Sequence, residues 1–357
     1  MKRITTLSLL VLIAACSSCG EPSASANPLR VDTSSGAVVA EVGTKVTSWR
    51  DIPYAQPPVG KLRWRAPRPM LSPLVEISAR DDIACLQLAS GAGGVPGEGV
   101  VGSEDCLYLD IKAPNGTTNA DSLPVMFWIH GGGNTAGYKG YYDFSSLVES
   151  QQVIVVTINY RLGPLGWFSH PVVQGGGEGL DRSSNFGTLD IIQALTWVQQ
   201  NIGAFGGDAK SVTIFGESAG GHNVFALLAS PLSDGLFHKA ISQSGYLETA
   251  TVAEAVNADD AYPRMRRSSS QLFASMVESG ALTDVSAESV SRVSGERLMQ
   301  HYLALDDNGD VPLTTADGIV VPEDGMLAAL ADKNYAKRVP VIAGANRDEV
   351  NLWLGTH

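Results

Sequence analysis

The sequence predicts an α/β fold with a mostly parallel central sheet, and two patterns in the chain indicate it. The first is a series of brief Val- and Ile-rich runs between turn residues, as expected for buried parallel strands. These runs are Val125–Ile129, Val153–Asn159, Val212–Phe215, Ala240–Ser244 and Val339–Gly344. The second is that apolar residues recur at helical spacing in two intervening stretches, Leu189–Ile202 and Gly220–Ala229. Strands that alternate with helices in this way indicate helices packed on a sheet.

Composition supports a folded chain and excludes some functions. The 357 residues are 44% hydrophobic and 17% charged, which is typical of a globular protein. This length fits either one large α/β domain or two smaller domains. There are 25 Lys and Arg residues against 37 Asp and Glu residues, and the resulting net charge of −12 argues against binding to nucleic acid or to an anionic membrane.

The N-terminal residues have the pattern of an export signal. Lys2 and Arg3 precede a mostly apolar stretch, Ile4–Ala15, which is too short to span a bilayer, so residues 1–15 are predicted to be a secretory signal. The end of this stretch, with Cys16 after two alanines, resembles the bacterial lipobox, in which the cysteine is lipidated. An ordinary signal peptide with a chance cysteine is the alternative. Residues 16–28 then predict a flexible tether, and residues 29–357 the folded domain. We therefore expect an exported protein of the bacterial cell envelope that meets the membrane only through its lipid anchor, or a secreted one.

Export changes the interpretation of two further cysteines. Cys85 and Cys106 lie 21 positions apart in a chain that is expected to reach an oxidising compartment, so a disulfide between them is predicted. The chain-entropy model gives such a loop a stabilisation of about 3 kcal/mol. The loop contains the Gly-rich, nearly uncharged segment 89–102, which such a bond would tie down.

The strongest chemical motif is Gly216-Glu217-Ser218-Ala219-Gly220. It directly follows the predicted strand Val212–Phe215 and precedes an apolar helix. A sharp strand-to-helix turn lifts the serine hydroxyl clear of the sheet, small neighbours allow close approach, and the helix N-terminus favours developing negative charge. Ser218 is therefore predicted to be a nucleophile, because the alternative, a helix N-cap serine, does not account for both glycines.

A glycine turn, His130–Gly133, follows the predicted strand Val125–Ile129. Alone it would indicate only a flexible turn. Together with the serine motif it predicts an oxyanion hole, because consecutive backbone N–H groups can be aimed at one point. Gly132, Gly133 and Ala219 would supply these N–H groups, and the loss of one such donor typically costs about 2.7–4 kcal/mol of transition-state stabilisation.

Longer blocks around these motifs resemble the type-B carboxylesterase and cholinesterase family of α/β-hydrolases. The blocks are Phe205–Gly220, Glu104–Asp110, Ile52–Gly60 and Asn159–Gly163. The resemblance implies an α/β-hydrolase fold and a carboxylesterase that cleaves small-molecule esters through an acyl-enzyme. It implies no cofactor. No metal site is predicted either, because the sequence has no HExxH motif and does not have two CxxC motifs.

The resemblance also implies roles for residues that local patterns would not single out. It places the acid of the catalytic triad at Glu349, in the block Gly344–Glu349, with Asp348 as the local alternative. It further implies two buried structural ion pairs, which are Arg63 with Glu104 and Arg161 with Asp190. Removal of one partner from such a pair typically costs about 3–5 kcal/mol.

The catalytic base has no clear candidate. In this family's order of serine, acid and histidine, the imidazole should follow Glu349, where only His357 is found. We expect the base and the final strands and helices to be absent from these 357 residues, which predicts very weak hydrolysis and an open apolar sheet edge or helix-packing face. The alternative is a non-catalytic, cholinesterase-like binding or adhesion protein.

Aromatic residues are the candidates for walls of a substrate pocket, although packing in the core accounts for them equally well. They are Tyr138, Tyr141, Tyr142, Trp167 and Phe168. The sequence therefore leaves the ester substrate and the oligomeric state open.

Overall fold

The computed structural model describes residues 29–80, 83–91, 93–257, 268–305 and 314–349. The predicted signal and tether, with Cys16, lie outside these residues, and so does His357. The described strands are β1 (Arg30–Thr33), β2 (Gly36–Val39), β3 (Glu41–Val42), β4 (Val46–Pro53), β5 (Leu74–Ile77), β6 (Gln87–Leu88), β7 (Val100–Val101), β8 (Tyr108–Pro114), β9 (Leu123–Ile129), β10 (Ile154–Ile158), β11 (Gly207–Glu217), β12 (Lys239–Gln243), β13 (Ala250–Thr251), β14 (Thr315–Ala316) and β15 (Val341–Gly344).

Helices fill most of the intervals between the later strands. The α-helices of the described residues are α1 (Ser145–Gln151), α2 (Gly163–Gly166), α3 (Pro171–Gln174), α4 (Phe186–Asn201), α5 (Ala219–Ala229), α6 (Val252–Val256), α7 (Ser269–Glu278), α8 (Ala287–Arg292), α9 (Gly295–Ala304) and α10 (Gly325–Ala331). Short 3₁₀ helices cover Gly60–Leu62, Gly179–Arg182, Ile202–Phe205 and Pro231–Ser233. In the described part of the chain, no helix is both long enough and apolar enough to cross a membrane.

Among the described residues, eight strands form the main sheet in the order β15-β12-β11-β9-β10-β8-β4-β3. The first five pair in parallel, and each of them overlaps one of the Val- and Ile-rich runs that predicted strands. The last three, β8, β4 and β3, continue the sheet with antiparallel pairs that the sequence analysis did not predict. The sheet is therefore mixed, with a parallel half in which chain order and spatial order differ.

Helices cover both faces of the sheet, as the predicted α/β class requires. Successive residues of a strand point to opposite faces. In β9, Phe127 packs in the large cluster that holds α4 and α5, whereas Met126 packs in a smaller cluster with Val148 of α1. β10 is buried at all of its five positions, because it lies inside the sheet between two layers of helices.

The edge strand β15 differs from the rest of the parallel half. It pairs with β12 on one side, and no other strand of the described residues lies on its free side. All four of its residues are exposed, and the exposed fractions of Val341 and Ile342 are 46% and 66%. An edge of this kind presents unpaired backbone groups beside apolar side chains, which is a recognised liability for aggregation.

One disulfide and two buried ion pairs link segments that are distant in the sequence. Cys85 and Cys106 form a disulfide. The Arg63 guanidinium donates to both carboxylate oxygens of Glu104 at 2.6 and 2.5 Å, and it also donates to the Val293 carbonyl. Arg161, which is almost fully buried, donates through Nε and Nη2 to Asp190 at 2.8 and 2.7 Å.

A third buried ionic cluster was not anticipated from the sequence. The Lys139 ammonium lies 2.7 Å from Oδ1 of Asp51 and 2.8 Å from Oδ1 of Asp110. Burial opposes the charged form of Lys139, but the two carboxylates together raise its pKa above the ordinary value. The cluster therefore joins β4 and β8 to the segment that follows the glycine turn.

Candidate active site

Ser218 lies at the junction where β11 ends at Glu217 and α5 begins at Ala219. Its φ and ψ angles are 56° and −120°, a conformation that L-residues rarely adopt and that a close-fitting environment must hold in place. The flanking glycines supply that fit. A Cβ on Gly216 would lie 2.6 Å from the backbone of Gly220, and one on Gly220 would lie 2.1 Å from the Ile129 carbonyl oxygen. The turn can therefore close only because neither position carries a side chain.

The glycine turn packs directly against this serine. A Cβ on Gly131 would lie 2.6 Å from the Glu217 carbonyl oxygen and 3.3 Å from the Ser218 Cβ. Gly132 and Gly133 have φ angles of 90° and 62°, in the region that favours glycine.

Three backbone donors near Ser218 are free to bind an oxyanion. Among the described residues, no acceptor bonds the N–H groups of Gly132 and Gly133, and Ala219 is the first residue of α5, where a helix leaves its N–H unpaired. The glycine turn, which carries two of the predicted oxyanion donors, therefore lies against the turn that carries Ser218 and the third.

Buried side chains hold the glycine turn from behind. The Tyr160 ring stacks on the His130 ring with centroids 4.2 Å apart, and its hydroxyl donates to the His130 carbonyl at 2.5 Å. Asn134 accepts from the Asn223 amide at 2.9 Å through its side chain, and from the Gly163 N–H at 2.7 Å through its carbonyl. Burial lowers the pKa of His130 to about 4, so its imidazole is neutral at pH 7. His130 is therefore part of the support for the turn.

Glu349 follows β15 and reaches the same edge of the sheet. Its Oε2 accepts from the Ser244 hydroxyl and from the Asn346 N–H, each at 2.9 Å. Burial raises the pKa of Glu217, and the negative charge of Glu349 raises it further. Because β11, β12 and β15 are adjacent and parallel, the residues after their carboxyl ends meet at one edge.

Two details distinguish the residues of this edge. Asp348, the alternative acid, pairs with Arg347, whose side chain is 91% exposed, whereas Glu349 faces Ser244. Ser244 was not anticipated as a site residue, although it ends the predicted run Ala240–Ser244. Ser244 has a φ angle of 53°, which is uncommon for a residue other than glycine, and the sequence does not reveal this angle.

The histidines of the described residues have other partners. His222 lies on α5, where Nδ1 is 3.0 Å from the Tyr246 carbonyl and Nε2 is 2.5 Å from the Thr314 hydroxyl. Burial lowers the pKa of His222 to about 4. His170 and His238 accept from backbone N–H groups, and His301 lies on α9. Within the part of the chain that the structure describes, the Ser218 hydroxyl has no hydrogen bond to any histidine.

The aromatic candidates divide into two groups, and Tyr138 belongs with Tyr141 and Tyr142, because it is half-buried and its ring contacts the Tyr141 ring edge-on at 6.2 Å. Trp167 and Phe168 are buried in the main core, so they pack the fold. Tyr141 and Tyr142 are 39% and 45% exposed, and the pKa of Tyr142 is raised by burial and then by the charge of Glu217. The Tyr142 ring packs edge-on against the Trp128 ring, with centroids 5.4 Å apart, and its exposed part leaves it a candidate for the wall of a substrate pocket. No group of side chains that could hold a metal ion occurs among the described residues.

Comparison with known proteins agrees with this geometry. The model of the carboxylesterase family matches residues 28–357. The chain is 37% identical to liver carboxylesterase 1 of Oryctolagus cuniculus over 97% of its length, and 38% identical to para-nitrobenzyl esterase of Bacillus subtilis over 91%. It aligns with 62% and 63% of these two proteins, so it spans less than two thirds of their length.

Solved structures give the same result. A PNB esterase superposes with a TM-score of 0.74 at 34% identity. The superposition covers 91% of this chain and 65% of the PNB esterase chain. A carboxylesterase of Geobacillus stearothermophilus superposes with a TM-score of 0.75 at 31% identity, with coverages of 92% and 63%. These esterases share the α/β-hydrolase fold, which agrees with the sheet and helices described above.

Proposed function

Because the chain belongs to the carboxylesterase family, we propose that the whole protein is a serine hydrolase that cleaves small carboxylic esters through an acyl-enzyme. The observation that carries the proposal is the setting of Ser218. It occupies a strained strand-to-helix turn that packs against a glycine turn, and three backbone N–H groups of these two turns have no acceptor among the described residues. This combination is what acyl transfer to a hydroxyl requires.

In the proposed reaction, the Ser218 Oγ attacks the acyl carbon of the ester and its proton passes to a general base. The N–H groups of Gly132, Gly133 and Ala219 stabilise the negative oxygen of the tetrahedral intermediate. Collapse of the intermediate expels the alcohol, which takes up the proton, and leaves the acyl group on Ser218. A water molecule then attacks the acyl-enzyme, which releases the carboxylic acid and restores the hydroxyl.

Glu349 is proposed as the acid that orients an imidazole and stabilises its charged form. The hydrogen bond from Ser244 supports this role, because it fixes the carboxylate at the edge that Ser218 also reaches. Ser218, Glu349 and the three oxyanion donors are thus the proposed site.

The imidazole itself has no candidate among the described residues, where four histidines bond other groups and the fifth, His301, lies on α9. We therefore propose that these 357 residues alone hydrolyse esters only slightly above background. Loss of a base typically lowers turnover by a factor on the order of 10⁴–10⁶.

The test compares this chain with Ser218→Ala and with Ser150→Ala, a matched change at an exposed serine of α1. A fluorophosphonate should label the parent and Ser150→Ala slowly and Ser218→Ala not at all. Added imidazole should accelerate p-nitrophenyl acetate hydrolysis by the parent beyond its effect on Ser218→Ala.

Two results would go against this. Equal labelling of Ser218→Ala would contradict the assignment of the nucleophile. A folded parent that no fluorophosphonate labels would favour the second candidate function, a non-catalytic binding or adhesion protein. The observation that favours this candidate is the lack of a bond between the Ser218 hydroxyl and a histidine of the described residues.

We also propose that the protein is exported and that a lipid on Cys16 holds it at a bacterial envelope. The signal-like residues 1–15 support this, and so does the Cys85–Cys106 disulfide, because such bonds persist in oxidising compartments. The parent made in a bacterial host should partition into detergent and Cys16→Ser into water. Identical partitioning of the two would contradict the anchor.

A further inference from the structure

Gln87 is a fully buried amide on β6, two residues after the disulfide cysteine Cys85. Its Nε2 donates to the Gly137 carbonyl at 2.9 Å and to the Cys85 carbonyl at 3.0 Å. Its Oε1 accepts from the Gly137 N–H at 2.9 Å and from the Val95 N–H at 3.4 Å. The side chain therefore pairs with both backbone groups of Gly137, as a neighbouring strand would, and all four of its bonds go to backbone.

Gly137 is in turn packed into the glycine turn. A Cβ on Gly137 would lie 2.3 Å from Nδ1 of His130 and 2.9 Å from the Gly131 carbonyl oxygen. The segment between Gly132 and Gly137 forms a turn, in which the N–H of Ala136 donates to the Gly132 carbonyl at 2.9 Å. A displacement of Gly137 would therefore move Gly132 and also Gly131, which contacts the nucleophile turn.

The segment that carries Gln87 is braced on its own side. The disulfide between Cys85 and Cys106 fixes its base. Further along, a Cβ on Gly94 would lie 2.9 Å from Oε1 of Gln87 and 3.5 Å from the Ala136 Cβ, so the Gly-rich part of the disulfide loop lies against the same region. Gln87 thus connects a covalently closed loop to the segment that supplies two of the proposed oxyanion donors.

We propose that Gln87 is a positioning residue that holds the N–H groups of Gly132 and Gly133 where negative charge develops beside Ser218. The inference rests on the proposed function for its catalytic consequence and on the contacts above for its structural one. An apolar side chain of the same size would leave the N–H and carbonyl of Gly137 buried and unpaired, which favours a shifted turn. A shift of about 1 Å in a catalytic group can cost about 100-fold in rate.

The first measurement uses Gln87→Met, which keeps the length of the side chain and removes its polar atoms. Hydrogen exchange at the amides of residues 130–137 should become faster, because the turn opens locally. The rate constant for phosphonylation of Ser218 by a fluorophosphonate should fall by about 10- to 100-fold. The reversible affinity for that reagent should stay nearly constant, because the lost interaction forms in the transition state.

The second measurement uses Gln87→Glu and the pH. A protonated carboxyl can donate and accept, as the amide does, whereas a carboxylate only accepts. Relative to the parent at each pH, labelling of Gln87→Glu should therefore recover as the pH falls from 8 to 5, and labelling of Gln87→Met should not. This variant also decides the matter if Gln87→Met does not fold.

The matched control is Asn201→Ala. Asn201 is a buried amide that bonds Ser34 and the Trp197 carbonyl, and it lies before the start of β11, whereas Ser218 follows the end of that strand. Its loss should lower the stability without faster exchange at residues 130–137.

The outcomes separate the two proposals. Unchanged exchange at residues 130–137 in Gln87→Met overturns the role of Gln87, and so does an equal loss of labelling in Asn201→Ala. A folded parent that is not labelled at Ser218 refutes the proposed function, and the exchange measurement then still shows whether Gln87 holds the turn.

Discussion

Ser218 and Glu349 both follow carboxyl ends of parallel strands, yet the regions that hold them differ greatly. Ser218 follows β11, which lies between β9 and β12 inside the sheet, under a buried helix. Glu349 follows β15, the edge strand, whose residues are all exposed. The strand before the proposed nucleophile thus has a neighbouring strand on each side and a buried helix after it. The proposed acid follows a strand with one neighbour, and its carboxylate accepts the hydrogen bond from Ser244.

This difference shows where the fold can hold strain. The left-handed backbone of Ser218 costs free energy, on the order of 1–3 kcal/mol, and persists only because its surroundings allow nothing else. An exposed edge cannot impose such a conformation. The centre of the sheet can therefore hold a strained backbone conformation, and the exposed edge cannot.

The largest expected contrast is between the ion pairs of the two regions. Asp190→Ala leaves the buried Arg161 without its carboxylate and should lower the free energy of unfolding by about 3–5 kcal/mol. Asp348→Ala breaks the exposed pair with Arg347 and should cost less than about 0.5 kcal/mol. Urea denaturation of both variants measures the difference, and similar losses would show that the centre is no better fixed than the edge.

A second contrast uses the same substitution at two glycines. Gly220→Ala places a Cβ 2.1 Å from the Ile129 carbonyl oxygen, so the nucleophile turn must shift, at a cost of about 3 kcal/mol or more. At Gly344, a Cβ meets nothing within 4 Å, and the effect of Gly344→Ala should stay within about 0.5 kcal/mol. Thermal unfolding of both would test this, and a tolerated alanine at position 220 would contradict the close packing of the turn.

The third prediction concerns pH and a buried histidine of the centre. Burial lowers the pKa of His222 to about 4 from an ordinary value of 6.5. As the pH falls below 6.5, the unfolded chain binds a proton that the folded chain does not, so stability falls until the pH reaches about 4. For this group the loss between pH 7.5 and pH 5 is about 2 kcal/mol.

Substitution checks this assignment. His222→Gln should remove that part of the loss, which denaturant midpoints at the two pH values report. His301→Gln, at a partly exposed position of α9, should leave most of the pH dependence in place. An unchanged slope in His222→Gln would show that His222 does not cause the loss.

The smallest expected effect on stability is at the edge itself. Ile342→Thr changes a side chain that is 66% exposed and should alter the free energy of unfolding by about 0.5 kcal/mol or less. It should also reduce self-association at high concentration, because the edge becomes less apolar. Val156→Thr, inside β10, buries a hydroxyl and should cost about 1–3 kcal/mol. Light scattering and urea titration distinguish the two, and unchanged association of Ile342→Thr would remove the edge as its cause.

The parts that sequence predicted well are those specified by neighbours along the chain. The turn at Ser218 and the glycine turn follow apolar strands, and their glycines are needed for contacts within a few residues or with the adjoining strand. Ser244 and Gln87 were missed for the opposite reason. Their partners, Glu349 and Gly137, are distant in sequence, and nothing in a local pattern announces a contact that only the strand order creates.

The strands show the same division. Runs such as Val153–Asn159 predicted the parallel half, because strands buried on both faces are apolar throughout. β8 alternates apolar residues with Asp110 and Lys112, and it was treated only as part of a family block. Its Asp110 pairs with Lys139, and the buried position of that lysine could not be inferred from a charged residue in a loop.

The strand order also has a consequence for the synthesis of the protein. β9, β10, β11 and β12 leave the ribosome in succession. β12 can pair with β15 only after residues 244–340 have also been made. At roughly 5–20 residues per second, this interval lasts about 5–20 s. Throughout this interval, the outer side of β12 has no strand to pair with. The nascent chain therefore passes through a period in which a chaperone can act on a protein whose central strands are already available for pairing.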